Sequence, residues 1–376
     1  MNSRRTIITA MVMVFALISL VACSQDERGQ PDRGQPVDNL PLAPAPVNAS
    51  LVVAPDGDDG AAGTADAPLR TIAAAAQRAQ PGMTILIRNG TYEGDIKTEA
   101  QGTASARIAY VAESPAVKIV GSGTQDGVWE NNGDYVDIVG FDVSGRNDVG
   151  IYDRGSFVRI IQNRVYGMPR GNCIYTANDN YDLTDIDVIG NVTHGCGATK
   201  LDHGIYVSHR RGVIANNISY GNPGFGIHCW HACNEVLIAN NLVFGNAQGG
   251  IVIGGANDAG VPVDNSLVAN NIVVDNGREG IREGGDSGSD NRFVNNLLWG
   301  NESDRILIST GEEQGTMVAD PQFVNFRIDG LGDYRLLPSS PAVDTGLSSL
   351  APPVTIDLDR VPRPQSHGFD LGPYEQ

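Results

Sequence analysis

Between Gly150 and Gly300 the apolar positions come in short runs of Ile, Val, Leu and aromatic residues, each closed by Gly or Asn, with no apolar spacing of helical period. One phrase recurs as NRVYG at Asn163, NVTHG at Asn191, NISYG at Asn217, NLVFG at Asn241, NIVVD at Asn271 and NLLWG at Asn296, at intervals of 28, 26, 24, 30 and 25 residues. A second phrase falls between them: GIYD at Gly150, CIYT at Cys173, GIYV at Gly204, GIHC at Gly226, GIVI at Gly250 and GIRE at Gly280. Short β-branched runs with such a period predict a parallel β solenoid, because each coil buries its apolar face only against the coils beside it. The asparagines are expected to be structural: Asn tolerates the left-handed conformation of corners, and stacked amides hydrogen-bond from coil to coil.

Stacked coils place equivalent residues about 4.8 Å apart. Ile151, Ile174, Ile205, Ile227, Ile251 and Ile281 then form an inward column, and strand alternation puts the following residue outside. That outward column reads Tyr152, Tyr175, Tyr206, His228, Val252, Arg282; two places further on it reads Arg154, Ala177, Ser208, Trp230, Gly254, Gly284. Steps of 22 residues from Tyr206 to His228 and from His209 to His231 make each pair neighbours on adjacent coils.

The flanks of the repeat differ from it. In residues 51 to 94, LVVAP and TILIRNGTY read as strands, and Thr71 to Ala79 reads as an Ala-rich helix stopped by Pro81-Gly82. Residues 316 to 376 leave the period and run through TMVADPQFVNF, GDYRLLPSSPAVDTG and DLDRVPRPQSHGFDLGPYE. Opening and tail together resemble bacterial right-handed parallel β-helix proteins of the pectate-lyase-like superfamily. The resemblance covers most of residues 51 to 376 and implies an all-β right-handed parallel β-helix over 51–315, a short N-terminal capping helix, and a C-terminal segment, 316–376, packed on the last coils.

At the start of the chain, MNSRRTIITAMVMVFALISLVAC resembles a bacterial lipoprotein signal, with residues 1–22 removed and Cys23 lipidated. Its apolar run from Ile7 to Val21 is short for a membrane span. Residues 23–50, rich in Pro, Gln and Asp, read as a flexible tether. The expected product is an exported monomeric lipoprotein of the outer membrane, periplasmic or surface-facing, attached to the membrane through its N-terminal lipid. Export leaves Cys173, Cys196, Cys229 and Cys233 as an even set in an oxidising compartment, open to three connectivities. Cys229 and Cys233 can pair only if Trp230-His231-Ala232 turns, since an extended strand holds them too far apart.

A formal net charge of -18 argues against a nucleic-acid partner and against a polyanion held by overall charge. An acidic ligand therefore needs a local basic patch. Lys200, the only lysine after Lys118, supplies one together with Arg210 and Arg211, and Arg278 and Arg282 lie further on.

Five of the six histidines, His194, His203, His209, His228 and His231, fall within 38 residues around Lys200. Phenols, imidazoles, an indole and cations on one surface suit an acidic polysaccharide: aromatic faces stack on sugar rings, cations neutralise carboxylates, and imidazole or phenol moves protons. In β-elimination of a uronate polymer, Lys200 or Arg282 would neutralise the carboxylate, His228 or His203 would take the C5 proton, and Tyr206 would protonate the leaving oxygen. Trp230, His231, His209, Tyr175, Arg210 and Arg282 are the expected substrate-binding residues.

A uronate C5-epimerase would use nearly the same groups, and a non-catalytic glycan-binding surface protein would need only the aromatic column. A glycoside hydrolase would need paired carboxylates. Asp202 and Glu283 adjoin the site, but Glu283 has inward parity. The DHG at Asp202 resembles the GHG of β-helical polygalacturonases, whose NTD and RIK motifs are missing; the aspartate ladder and catalytic-arginine signature of calcium-dependent pectate lyases are not found either. No cofactor is required by the pattern. Calcium is an alternative at the acidic turn Asp56 to Asp59 and at Asp179 to Asp187, as is zinc at His228 and His231 with His203 or His209.

Overall fold

The computed structural model describes residues 48–256, 260 and 262–376; Cys23 and nearly all of the expected tether lie outside them. Each coil contributes one strand to each of three parallel sheets. Sheet I has nine strands, from Ile96–Thr98 to Ser303–Leu307; sheet II has eleven, from Leu51–Val53 to Glu312–Gln314; sheet III has ten, from Gly90–Glu93 to Met317–Val318. The chain passes from sheet I to II to III and back, as the strands Val149–Asp153, Arg159–Ile161, Arg164–Tyr166 and Ile174–Thr176 do in succession. This is a parallel β-helix with, among the described residues, one short helix.

The Ile column is in register as expected: Ile151 pairs with Ile174, Ile174 with Ile205, Ile205 with Ile227, Ile227 with Ile251 and Ile251 with Ile281. All six are fully buried. Each such side chain contributes roughly 1.5–3 kcal/mol of transfer free energy.

The corner between sheets II and III explains the doubled asparagines. Its first residue adopts positive φ, as at Asn216 (55°), Asn240 (55°), Asn270 (59°) and Asn295 (51°), a region Asn enters at little cost. The second residue turns inward. Asn163, Asn191, Asn217, Asn241 and Asn271 each donate Nδ2 to Oδ1 of the next coil's asparagine at 2.9–3.1 Å, and their backbone N–H groups bond the same oxygen. A second buried ladder, Asn222, Asn246, Asn276 and Asn301, runs along the corner between sheets III and I, five residues after members of the first, with side-chain bonds of 2.9–3.0 Å.

The helix Ile72–Arg78 begins at Thr71, whose side chain accepts from the Ala74 N–H, and buries Ile72, Ala75 and Ala76 at the start of the solenoid. Asp59 accepts from the N–H groups of Arg70 and Thr71 and from the Thr71 hydroxyl, so this acidic turn is engaged in holding the helix.

After residue 316 the chain covers two of the three sheets. Phe326 and Tyr334 pack on Phe244, and Leu358 and Leu371 join Val192, Ile218 and Leu242 outside sheet III. Leu350 and Val354 cover Val213, Leu237 and Ala239 outside sheet II. The outer asparagines pin this segment: Asn216 donates to Ile356 O, Asn240 to Asp370 O, Asn270 to Leu347 O and Asn295 to Thr345 O. The outer face of sheet I carries the Tyr and His column.

Candidate active site

On sheet I the outward column is a continuous stack. Ring centroids are 5.0 Å apart for Tyr152 and Tyr175, 4.9 Å for Tyr175 and Tyr206, and 4.6 Å for Tyr206 and His228. Tyr206 and His228 are backbone partners on neighbouring coils, and Val252 and Arg282 continue the column. Stacking has a consequence that differs from the expectation of sugar rings lying on Tyr175: both faces of Tyr175 and of Tyr206 are taken by their neighbours, so these residues present phenol edges outward. Burial, reinforced by Tyr152 and Tyr181, pushes the Tyr175 phenol up to about 12, which keeps it a proton donor at neutral pH.

Trp230 stands beside His228 with centroids 5.4 Å apart. Its indole lies over backbone of the next two coils, where a Cβ on Gly254 or Gly285 would approach it to 2.7 and 2.9 Å. Glycine at those positions lets the ring lie down. Arg282 folds back over Gly284, and Arg154 sits 4.3 Å from the centroid of the Tyr152 ring, putting a guanidinium toward each end of the aromatic floor.

His203 precedes the strand Ile205–Val207 and is buried. Its Nδ1 accepts the Phe225 N–H at 2.9 Å and its Nε2 lies 2.7 Å from Nδ1 of His228. Both nitrogens are therefore occupied, and His203 is corrected from base candidate to a buried residue behind His228. Burial drives its pKa down to about 4 against the pull of Asp202; burial, then the charges of His203 and His231, drive His228 well below the ordinary imidazole range. Both rings are neutral at neutral pH.

The sequence cluster of five histidines is divided among three environments. His194 is on sheet III, stacked between Tyr166 and Tyr220 at 5.1 and 4.7 Å. His209 is fully buried, its Nδ1 2.8 Å from the Thr176 hydroxyl, so the expectation that it binds substrate is wrong. The corner after Val207 turns Ser208 and His209 inward, and Ala177 is likewise buried, whereas His231, at φ 68°, faces Tyr181 with centroids 4.4 Å apart. His209 and His231 thus share a register position without touching the same space. Only His203, His228 and, at 6.5 Å from Tyr206, His231 remain near the column.

Lys200 is exposed on the loop entering sheet I, and Arg210 is exposed at the opposite corner, next to Arg211, which pairs with Asp185 at 2.7 Å. The structure does not gather these cations around His228. Cys173 is bonded to Cys196, and Cys229 to Cys233, the latter across the turn at His231 that such a pairing requires.

The carboxylates are individually engaged. Asp182 accepts from Asn178, Asp185 pairs with Arg211, and Asp187 accepts the Val213 N–H. Burial raises Asp202, but the N–H groups of Ala198 and Thr199 outweigh it and hold its pKa below the ordinary range. Glu283 points inward, as its parity implied, and accepts from the N–H groups of Ser309, Thr310 and Gly311. Among the described residues no three His, Cys, Asp or Glu side chains converge as metal ligands, so the zinc alternative finds no donor set there.

Known proteins share this architecture. Pectate lyase Pel9A superposes with a TM-score of 0.63 at 16% identity, covering 91% of this chain and 100% of its own. An alginate lyase from Paenibacillus sp. superposes with a TM-score of 0.53 at 19% identity, covering 65% of this chain and 94% of its own. At these identities the likeness is one of fold. A 78-residue segment is 47% identical to pectate lyase PEL9 of Emericella nidulans but spans only 19% of that protein. A 60-residue segment is 38% identical to the uncharacterized protein YwoF of Bacillus subtilis, 13% of its length. The model of the Pel9A-like right-handed β-helix region matches residues 51–313, and the chain belongs to that family.

Proposed function

We propose that the protein is a polysaccharide lyase that cleaves a uronate-containing polysaccharide by β-elimination along the outer face of sheet I. The observation that carries this reading is the stacked column Tyr152, Tyr175, Tyr206 and His228, flanked by Trp230 and Arg282, on the sheet whose outer face lies apart from the C-terminal segment. It is supported by membership of the Pel9A-like family and by likeness to proteins named pectate, alginate and rhamnogalacturonan lyases.

In such a reaction a base removes the C5 proton of a uronate, its electron pair forms the C4–C5 double bond as the C4–O4 bond breaks, and the departing O4 gains a proton. Trp230 offers the stacking face and Arg282 the cation for a carboxylate, while Tyr206 is the group proposed to protonate the departing O4. Export and attachment through a lipid on Cys23 complete the proposal, with the polysaccharide and the membrane as partners of a monomer.

The test is a panel of polygalacturonate, rhamnogalacturonan and alginate. Ultraviolet absorbance from an unsaturated uronate is the expected result; new reducing ends without that absorbance indicate a hydrolase, and proton exchange at C5 without cleavage indicates an epimerase.

A further inference from the structure

We propose that His203 is a positioning residue that fixes His228 in the tautomer bearing its proton on Nε2, making His228 a neutral hydrogen-bond donor to the substrate carboxylate rather than a base. The proposal rests on the lyase reading above. A backbone N–H can only donate, so the Phe225 amide defines His203 Nδ1 as an acceptor without a proton. Neutral His203 must then carry its proton on Nε2, which lies 2.7 Å from His228 Nδ1. His228 Nδ1 accepts that proton's hydrogen bond, and its own proton is on Nε2. One backbone amide thereby sets the tautomers of two rings in series.

Protonation of either ring breaks the series. A proton on His203 Nδ1 would face the Phe225 N–H, and one on His228 Nδ1 would face the His203 Nε2–H. The groups around the pair are Asp202 beside His203, Tyr206 stacked on His228, and Phe225, Trp230 and His231 at its other sides. Of these only Asp202 favours a charged imidazole, and the desolvation of both rings, His203 buried and His228 partly so, outweighs it. Nε2 of His228 has no hydrogen-bond partner among the described residues, and its partly exposed ring belongs to the outward column.

A neutral N–H aimed at the carboxylate strengthens its bond as charge builds there during removal of the C5 proton, and it gives up no proton itself. A preorganised donor of this kind costs no reorganisation during the reaction.

The test uses the protein labelled with 15N at histidine and long-range 1H–15N spectra between pH 5.5 and 8, with His203→Gln and His228→Gln to assign the rings. In the parent protein both rings should show a protonated Nε2 and a bare Nδ1 throughout the range; an imidazolium or an Nδ1-protonated His228 overturns the proposal without any variant having to fold. In His203→Phe, His228 should titrate or interconvert between tautomers within the same range, and an unchanged tautomer overturns the positioning role. On a polysaccharide that the parent cleaves, His228→Leu should lower kcat by about 10²–10³-fold, as loss of a preorganised donor does, while His228→Gln, which keeps an N–H, should lose less. Equal losses overturn the donor role. A parent that cleaves no uronate polymer sinks the lyase reading instead, and the spectra still decide what His203 does.

Discussion

Inside the solenoid Asn131 donates Nδ2 to Oδ1 of Asp153 at 2.7 Å, while Oδ2 of this fully buried aspartate has no partner among the described residues. Burial pushes the carboxyl up to about 7, outweighing the hydrogen bonds from Asn131 and Gly155. A carboxyl with a higher pKa folded than unfolded contributes stability below its unfolded value and loses it as pH rises through the folded one. We predict that Asp153→Asn, which keeps an oxygen for the Asn131 amide and removes the ionisable group, gains stability over the parent between pH 4 and pH 8 by about 1–3 kcal/mol. Urea denaturation at the two pH values checks this; a difference independent of pH would contradict it.

His209 should behave as a core residue. His209→Ala is expected to lower stability by roughly 2–4 kcal/mol, through a lost buried hydrogen bond and the cavity left behind, and to leave KM unchanged. Burial holds this imidazole at about 4, so its contribution is present above the ordinary histidine range and is lost as pH falls from about 6.5 through about 4. A raised KM with unaltered stability would return it to the binding site.

Trp230→Ala should weaken binding more than turnover. The indole offers area rather than proton chemistry, so KM is expected to rise about tenfold, the equivalent of roughly 1.4 kcal/mol of lost contact, with kcat changing less. Steady-state kinetics on the cleaved polymer separate the two, and a fall confined to kcat would assign Trp230 a different part.

Asn240 combines a corner conformation with a clamp on the C-terminal segment, donating to Asp370 O at 2.9 Å and to Gly372 O at 3.2 Å. Asn240→Ala loses both bonds and places alanine at φ 55°, a strain of about 1–2 kcal/mol by itself. Limited proteolysis should cut after residue 340 sooner in the variant; unchanged cleavage would mean that the apolar contacts suffice.

Cys23→Ser tests the lipid anchor. The variant should leave the membrane fraction or accumulate as unprocessed precursor, and lipid labelling that survives the substitution would refute the anchor.

The solenoid could be read from the chain because its determinants are local and repeated. Every coil needs an apolar run, a residue tolerant of positive φ and an inward amide, and those needs recur at visible intervals from Asn163 to Asn296. The pairing of Tyr206 with His228 follows from the same spacing. The second ladder was also present as an asparagine five residues after Asn217, Asn241, Asn271 and Asn296, but Met168 and Cys196 occupy the equivalent places in earlier coils and hide it.

What spacing did not reveal is the direction of side chains beyond a corner. His209 and His231 are 22 residues apart, yet one is buried beside Thr176 and the other stacks on Tyr181, because strand parity ends where the backbone turns. Nor does spacing show that the tyrosine faces are consumed by one another, or that His203 lies behind His228 with an amide from Phe225 selecting its tautomer. Period and parity are properties of neighbouring residues along one strand. Burial, tautomer and the covering of two sheets by the C-terminal segment arise from groups brought together by folding, and these choose which part of the histidine-rich stretch reaches the outer face of sheet I.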